Sequence, residues 1–152
     1  LYVKSNVGEA LLYGGELTAE WNPYAAFVVH AALSYVRGRD TGENLDLPQI
    51  PPLSGRFGLR IPVSGIATAD LIVDATADQD AVAIGEKRTP GHALLHCHLR
   101  SNAWAIAGVS ATLYAGMDNV FDRSWRRHLS TLRGLVVTEP GRNMFVRLLL
   151  RF

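Results

Sequence analysis

The sequence has little of what most quickly assigns a function. It holds one cysteine, Cys97, so neither an intrachain disulfide nor a cysteine-built zinc site can form within it. A lone cysteine reads as a small apolar side chain. The formal net charge is only +1, which gives no basic surface for nucleic acid, and none is expected as a partner. No apolar run approaches the roughly 18 residues that a membrane helix requires. Crossing by helices is thereby excluded; crossing by strands is not, because a strand's signal is alternation. The chain opens with no charged segment leading into an apolar one, so no signal peptide is read. Residues 1–7 read instead as a strand already in progress, and the expectation is a piece of a longer chain. No nucleophile, base and oxyanion donor fall into a recognisable pattern, so an enzyme is not expected. No cofactor is expected either.

What is present is a chain that is 48% apolar, well above the level of disordered segments, and whose apolar residues alternate. In the last segment Met144, Val146, Leu148, Leu150 and Phe152 share one face of an extended strand. Asn143, Phe145, Arg147, Leu149 and Arg151 share the other. Successive strand side chains point to opposite faces, so one face is wholly apolar and the other carries the charge. The same reading repeats upstream. Ala67, Ala69, Leu71, Val73, Ala75 and Ala77 oppose Thr68, Asp70, Asp74, Thr76 and Asp78. Ala93, Leu95, Cys97 and Leu99 oppose His92, His96, His98 and Arg100. Residues 103–117 read as one strand with alanines, Val109, Leu113 and Met117 on its apolar side. Segments around 11–21, 27–35 and 53–61 follow the same rule.

About seven strands result, each of about ten residues, which at about 3.3 Å per residue and a tilt of about 45° span roughly 24 Å. Their connections alternate in length. Asn22-Pro23-Tyr24, residues 62–65 and Ser101-Asn102 read as tight turns; residues 39–52, 79–90 and 118–141 are long. Outer-membrane barrels separate short periplasmic turns from long extracellular loops in this way. The expected fold is therefore all-β, an antiparallel meander forming a fragment of a transmembrane β-barrel. The strand ending at Phe152 is expected to run toward the periplasm. Seven is odd and single-chain bacterial barrels use even numbers, so further strands are expected upstream. A soluble β-sandwich is the alternative that alternation alone leaves open.

Short motifs recur in a telling order. Residues 12–16 read LYGGE, 47–52 LPQIPP, 86–90 EKRTP, 116–122 GMDNVFD and 140–143 PGRN, and the chain ends on the aromatic Phe152. Asn119 and Asp122 suit a strand end because their side chains cap backbone groups. Each piece alone is common. Their order and spacing resemble the C-terminal barrel portion of TonB-dependent outer-membrane receptors, over essentially the whole chain. The resemblance implies a barrel of about 22 strands, of which residues 1–152 would be the last seven or so. It implies that a plug domain, a TonB box and the earlier strands lie outside this chain. It also implies Gram-negative outer-membrane localisation and import of a scarce ligand driven through TonB. An iron–siderophore is the expected cargo, with copper, other metal complexes, haem and cobalamin as further candidates. Partners so implied are TonB, the plug, outer-membrane lipid, lipopolysaccharide and a small-molecule metal chelate. Phe152 resembles the terminal aromatic of the outer-membrane assembly signal. A passive porin or structural barrel without energy coupling is the alternative.

Candidate site residues divide into two groups. Asp70, Asp74, His96, His98, Arg100, Arg147 and Arg151 fall on the charged faces and are expected to line the lumen and contact the plug. Arg56, Arg60, Arg100, Arg147 and Arg151, on other charged faces, are the expected partners of Asp70, Asp74 and Asp78. His96 and His98 are alternate residues of one strand, roughly 7 Å apart at Cα. That spacing suits a shared metal ion, and it equally suits polar side chains facing a wet lumen. The second group lies on the last long loop, where Arg123, Trp125, Arg126, His128 and Arg133 offer a basic, aromatic surface for an anionic chelate.

Overall fold

The computed structural model describes residues 8–23, 26–131 and 138–152. The strand read at residues 1–7, Tyr24 of the first expected turn and the loop residue Arg133 lie outside them. The elements are β1 (Ala10–Trp21), β2 (Val28–Asp40), β3 (Leu45–Asp46), β4 (Ser54–Val63), β5 (Ala67–Thr76), β6 (His92–Ser101), β7 (Trp104–Ile106), β8 (Val109–Asp118), a 3₁₀ turn (His128–Thr131) and β9 (Asn143–Arg151). All nine strands belong to one antiparallel sheet. The long strands pair in chain order, β1-β2-β4-β5-β6-β8-β9, while β3 pairs with the end of β2 and β7 with the start of β8. The sheet is open: β1 pairs only with β2, and β9 only with β8, among the described residues. The expected meander, strand number and reversal at each connection are all found.

The register carries one face across the whole sheet. Thr18, Ala32, Arg56, Asp74 and Leu94 are successive ladder partners, and so are Leu17, Leu33, Gly55, Ala75 and Ala93 on the opposite face. Farther along, His98 pairs with Gly116 and Gly116 with Phe145, while Cys97 pairs with Met117 and Met117 with Met144. The polar face therefore runs through even positions up to β8 and odd positions in β9. Among the described residues no second layer packs on the apolar face. Leu17, Tyr35, Phe57, Leu71, Val73, Leu113, Val146, Leu148 and Leu150 are all exposed. Among the described residues only Ile50, Leu94 and Ala111 are buried apolar side chains. A water-soluble sheet hides its apolar face against a second layer; this one presents it outward, as a lipid-facing wall does.

Turns sit at one end. Ser64 and Gly65 both take positive φ (46° and 68°), and Ile66 N–H donates to Val63 O at 3.0 Å. Val63 pairs with Ala67, so a tight connection of three residues, 64–66, closes the hairpin. The turn expected at Ser101-Asn102 lies elsewhere. Ala107 and Gly108 (φ 49° and 85°) make it instead, and the strand read as 103–117 is two strands. The pairing shows why. Arg100 pairs with Tyr114, yet Trp104 pairs with Ala111. Three residues, 101–103, face two, which is a β-bulge. Leu113 N–H donates to Ser101 Oγ at 2.9 Å, and Asn102 N–H donates to Ile66 O at 2.7 Å, so side chain and neighbouring turn satisfy the broken ladder. The bulge reverses parity. Trp104, paired with Ala111, stands on the apolar face, and Ala105, paired with Ser110, on the polar one.

The long connections, residues 41–53, 77–91 and the described parts of the last one (119–131 and 138–142), lie at the other end. The second is drawn together by a Gln79–Thr89 bridge. The third contains one short helical turn.

Candidate functional site

The polar face is built from charge pairs set by the register. Arg56 and Asp74 are ladder partners, and the guanidinium grips the carboxylate at two points, Nε–Oδ1 2.6 Å and Nη2–Oδ2 2.7 Å. Two same-face rows toward the turn, past Gly58 and Ile72, Arg60 Nε donates to Asp70 Oδ1 at 2.7 Å. Of the five arginines expected as partners of the aspartates, Arg56 and Arg60 take up the role. Both arginines are more than half exposed, so each pair adds little stability; its consequence is to fix where the carboxylates stand. Asp78 differs and caps the loop, accepting from Gly91 N–H at 2.7 Å. Arg100 and Arg147 share one ladder row with Tyr114, and Arg151 pairs with Ser110, all on this same face.

Beside Asp74 three side chains converge. His96 Nδ1 lies 3.0 Å and His98 Nε2 2.8 Å from the same oxygen, Oδ1 of Asp118. The three donor atoms all lie within 4.8 Å of one another, and they are the metal-capable group found among the described residues. The other nitrogen of His96, Nε2, is 3.5 Å from Asp74 Oδ2. His98 is held by its surroundings. Its ring lies 5.5 Å from that of Phe145, edge to face, and over Gly116, where an added Cβ would come within 2.7 Å of His98 Cδ2. The alternation brings His96 and His98 to one face. Asp118 was read as loop; it joins them because β8 continues to pair with Asn143 at its last residue. The signal was available in parity, since 118 is even.

The third loop folds back over this face. Trp125 to Leu129 and the polar-face residues Thr18, Ala32, Arg56, Asp74, His92 and His96 line a hollow of about 690 Å³. Trp125 stacks on His92 with ring centroids 4.7 Å apart, and the Arg127 guanidinium lies 5.5 Å above the same indole. The loop is fixed at its root. Asn119 accepts from Arg123 N–H (2.9 Å) and donates to Arg123 O (2.8 Å), and Asp122 accepts from Arg142 N–H at 2.7 Å. These are the capping roles expected of Asn119 and Asp122. Arg126 also lines the hollow.

His128, expected on a ligand-facing loop, lies in the hollow's wall and is only 3% exposed. Its Nδ1 is 3.0 Å from Thr89 Oγ1 and its Nε2 3.2 Å from Glu86 Oε1. Glu86 also accepts backbone N–H groups of Gln49 and Ala83, each at 3.0 Å. Buried Gln79 donates to Ile50 O at 2.6 Å. The three long loops are thereby tied together through Glu86, Gln79, Thr89 and His128. Glu86 and Thr89 belong to the EKRTP motif, but neither that motif nor anything local to Gln79 signals these ties.

An open antiparallel meander with one apolar outer face, one charged face, and turns and loops at opposite ends defines a stretch of transmembrane β-barrel wall. A family model described as TonB dependent receptor-like, beta-barrel, matches residues 1–120. The chain belongs to that family, whose barrels reside in the outer membrane. Among solved structures, the copper transporter OprC is similar, with a TM-score of 0.77 and 26% identity over 91% of this chain and 23% of that one. The chain spans about a quarter of that transporter's length. Among curated proteins none matches.

Proposed function

We propose that residues 1–152 form the C-terminal part of the barrel wall, and three outer loops, of an outer-membrane receptor that imports a scarce metal-containing ligand through TonB-coupled energy. The polar face is then the lumen wall, with Asp70, Asp74, His96, His98, Arg100, Arg147 and Arg151 hydrating it and docking the plug. The apolar face meets lipid, and the outer rim meets lipopolysaccharide. Phe152 serves as the terminal aromatic read during assembly. The observation that carries this reading is the third loop, which folds back over the charged face and roofs a hollow on that side. A passive pore gains nothing from such a roof; a receptor that closes over cargo does.

Two further observations support a metal cargo. The hollow adjoins a convergent histidine–aspartate group, and the name of the similar transporter states copper. The earlier expectation of an iron–siderophore stays within the same proposal as one form of metal complex. No step here is chemical turnover: the work is binding, closure and passage. The test is accumulation of radiolabelled metal by cells carrying the full-length receptor, with and without TonB. Uptake that vanishes without TonB is the expected result. Uptake that persists unchanged refutes energy coupling and favours the passive porin.

A further inference from the structure

We infer that His96, His98 and Asp118 form a wall-mounted site for a divalent first-row transition-metal ion, the substrate class that the import reading leaves open and on which the site's role in transport rests. Three donor atoms, two imidazole nitrogens and one carboxylate oxygen, already face one point. Both nitrogens approach the same oxygen, at 3.0 and 2.8 Å. An ion bound at about 2.0–2.2 Å from each donor needs only small side-chain rotations to enter. On entry of the ion each ring carries its proton on the nitrogen turned away from Asp118, so that a lone pair of the other nitrogen faces the ion.

The surroundings are those of a metal ligand set. Histidine ligands commonly direct their second ring nitrogen at a carboxylate. His96 Nε2 faces Asp74 Oδ2 at 3.5 Å, and Asp74 is itself fixed by the two-point grip of Arg56. The bareness of Gly116 and the edge of Phe145 hold the His98 ring in place. The donor chemistry narrows the ion. Two imidazoles and a carboxylate suit Fe²⁺, Co²⁺, Ni²⁺, Cu²⁺ or Zn²⁺ and disfavour Mg²⁺ and Ca²⁺, which take oxygen ligands. A soft cuprous ion prefers sulfur. The two sulfur side chains nearest in sequence, Cys97 and Met117, are ladder partners on the opposite face and cannot reach the site. With three protein donors, positions stay open for water or for a group carried by the cargo.

The test uses the full-length receptor in detergent, stripped with chelator, and metal ions alone as probes. Diethylpyrocarbonate labelling is mapped residue by residue on the wild type. Zn²⁺ is expected to protect both His96 and His98 by about tenfold or more while Mg²⁺ does not, as the donor set requires. Unchanged labelling at saturating Zn²⁺ overturns the site. In parallel, the His96→Gln/His98→Gln variant is expected to bind about one Zn²⁺ fewer per chain than the wild type, the capacity of a single three-ligand site. An inserted variant with undiminished stoichiometry also overturns it. If the variant fails to assemble, the wild-type protection result decides alone. TonB dependence of uptake is read separately, so a receptor that binds Zn²⁺ here yet imports without TonB keeps the site and loses the transport reading.

Discussion

His98 and Gly116 are direct ladder partners, and the imidazole fills the space that a side chain at 116 would take. A Cβ there would meet Phe145 Cζ at 2.5 Å and His98 Cδ2 at 2.7 Å. Both neighbours are ring ends, so the rings give way and the strand does not. Gly116→Ala is therefore expected to leave assembly intact and to swing His98 away from Asp118. Zn²⁺ affinity should fall about tenfold, a loss of about 1.4 kcal/mol. Calorimetry on the full-length protein measures it, with heat-modified gel mobility as the check on folding. An unchanged affinity would show that the His98 ring position is not what the site depends on.

The bulge at residues 101–103 gives a second prediction. It places Trp104 on the apolar face, opposite Ala111 and near the turn end. Brominated lipid should quench Trp104 fluorescence strongly in a variant that keeps only this tryptophan, and aqueous iodide should quench it weakly. Deleting one residue from 101–103 removes the bulge and returns the parity, so the two quenchers should exchange roles. Equal quenching by both in the parent protein would contradict the placement.

How much the sequence discloses follows from where each feature originates. Alternation is a property of a single strand, so the two faces of β5, β6 and β9 and the opposition of Cys97 to His96 and His98 are legible without any partner. The Arg56–Asp74 and Arg60–Asp70 pairs are nearly as legible, because a short hairpin at Ser64-Gly65 fixes the register between them. The bulge is not. It changes parity without changing composition, and the alanines at 103, 105 and 107 continue an apparent alternation that the pairing breaks. Asp118 is hidden for a related reason: where a strand ends is decided by what pairs with its last residue, here Asn143, 25 positions away. The ties among Glu86, Thr89 and His128 are farther still from any local signal.

Facing across the membrane can be tested on the register itself. Leu71 and Val73 occupy the apolar face and Asp70 and Asp74 the polar one. Spin labels at 71 and 73 should be relaxed by oxygen in the lipid phase, and labels at 70 and 74 by a water-soluble nickel chelate. On the same apolar face, Leu148→Arg should cost roughly 2–4 kcal/mol of barrel stability where the position lies near the midplane, and less toward either interface. Leu149→Arg, on the lumen side, should cost much less. Equal penalties at 148 and 149 would contradict a one-sided lipid face.

The last prediction concerns the tie between loops. His128 is buried and bridges Thr89 and Glu86, at 3.0 and 3.2 Å, while Glu86 also holds the amides of Gln49 and Ala83. Removing the imidazole leaves a buried hydroxyl and a buried carboxylate short of a partner, and a deletion of that kind costs about 1–3 kcal/mol. The cost falls on the loops alone, because every long strand keeps its ladder on both sides of the change. His128→Ala should therefore insert and assemble as the parent does, with unaltered heat-modified mobility. Amide exchange at Gln49, Ala83 and Thr89 should quicken by about five- to 150-fold, the same free energy read as local opening. Glu86→Ala should act in the same direction and extend the effect to Gln49 and Ala83 directly. If the third loop closes over cargo, loosening its anchor should also raise the dissociation rate of bound metal complex more than it changes the association rate. Exchange that stays at parental rates in both variants would mean that the tie does not hold the loops, and that the roof over the polar face is kept by Trp125 on His92 instead.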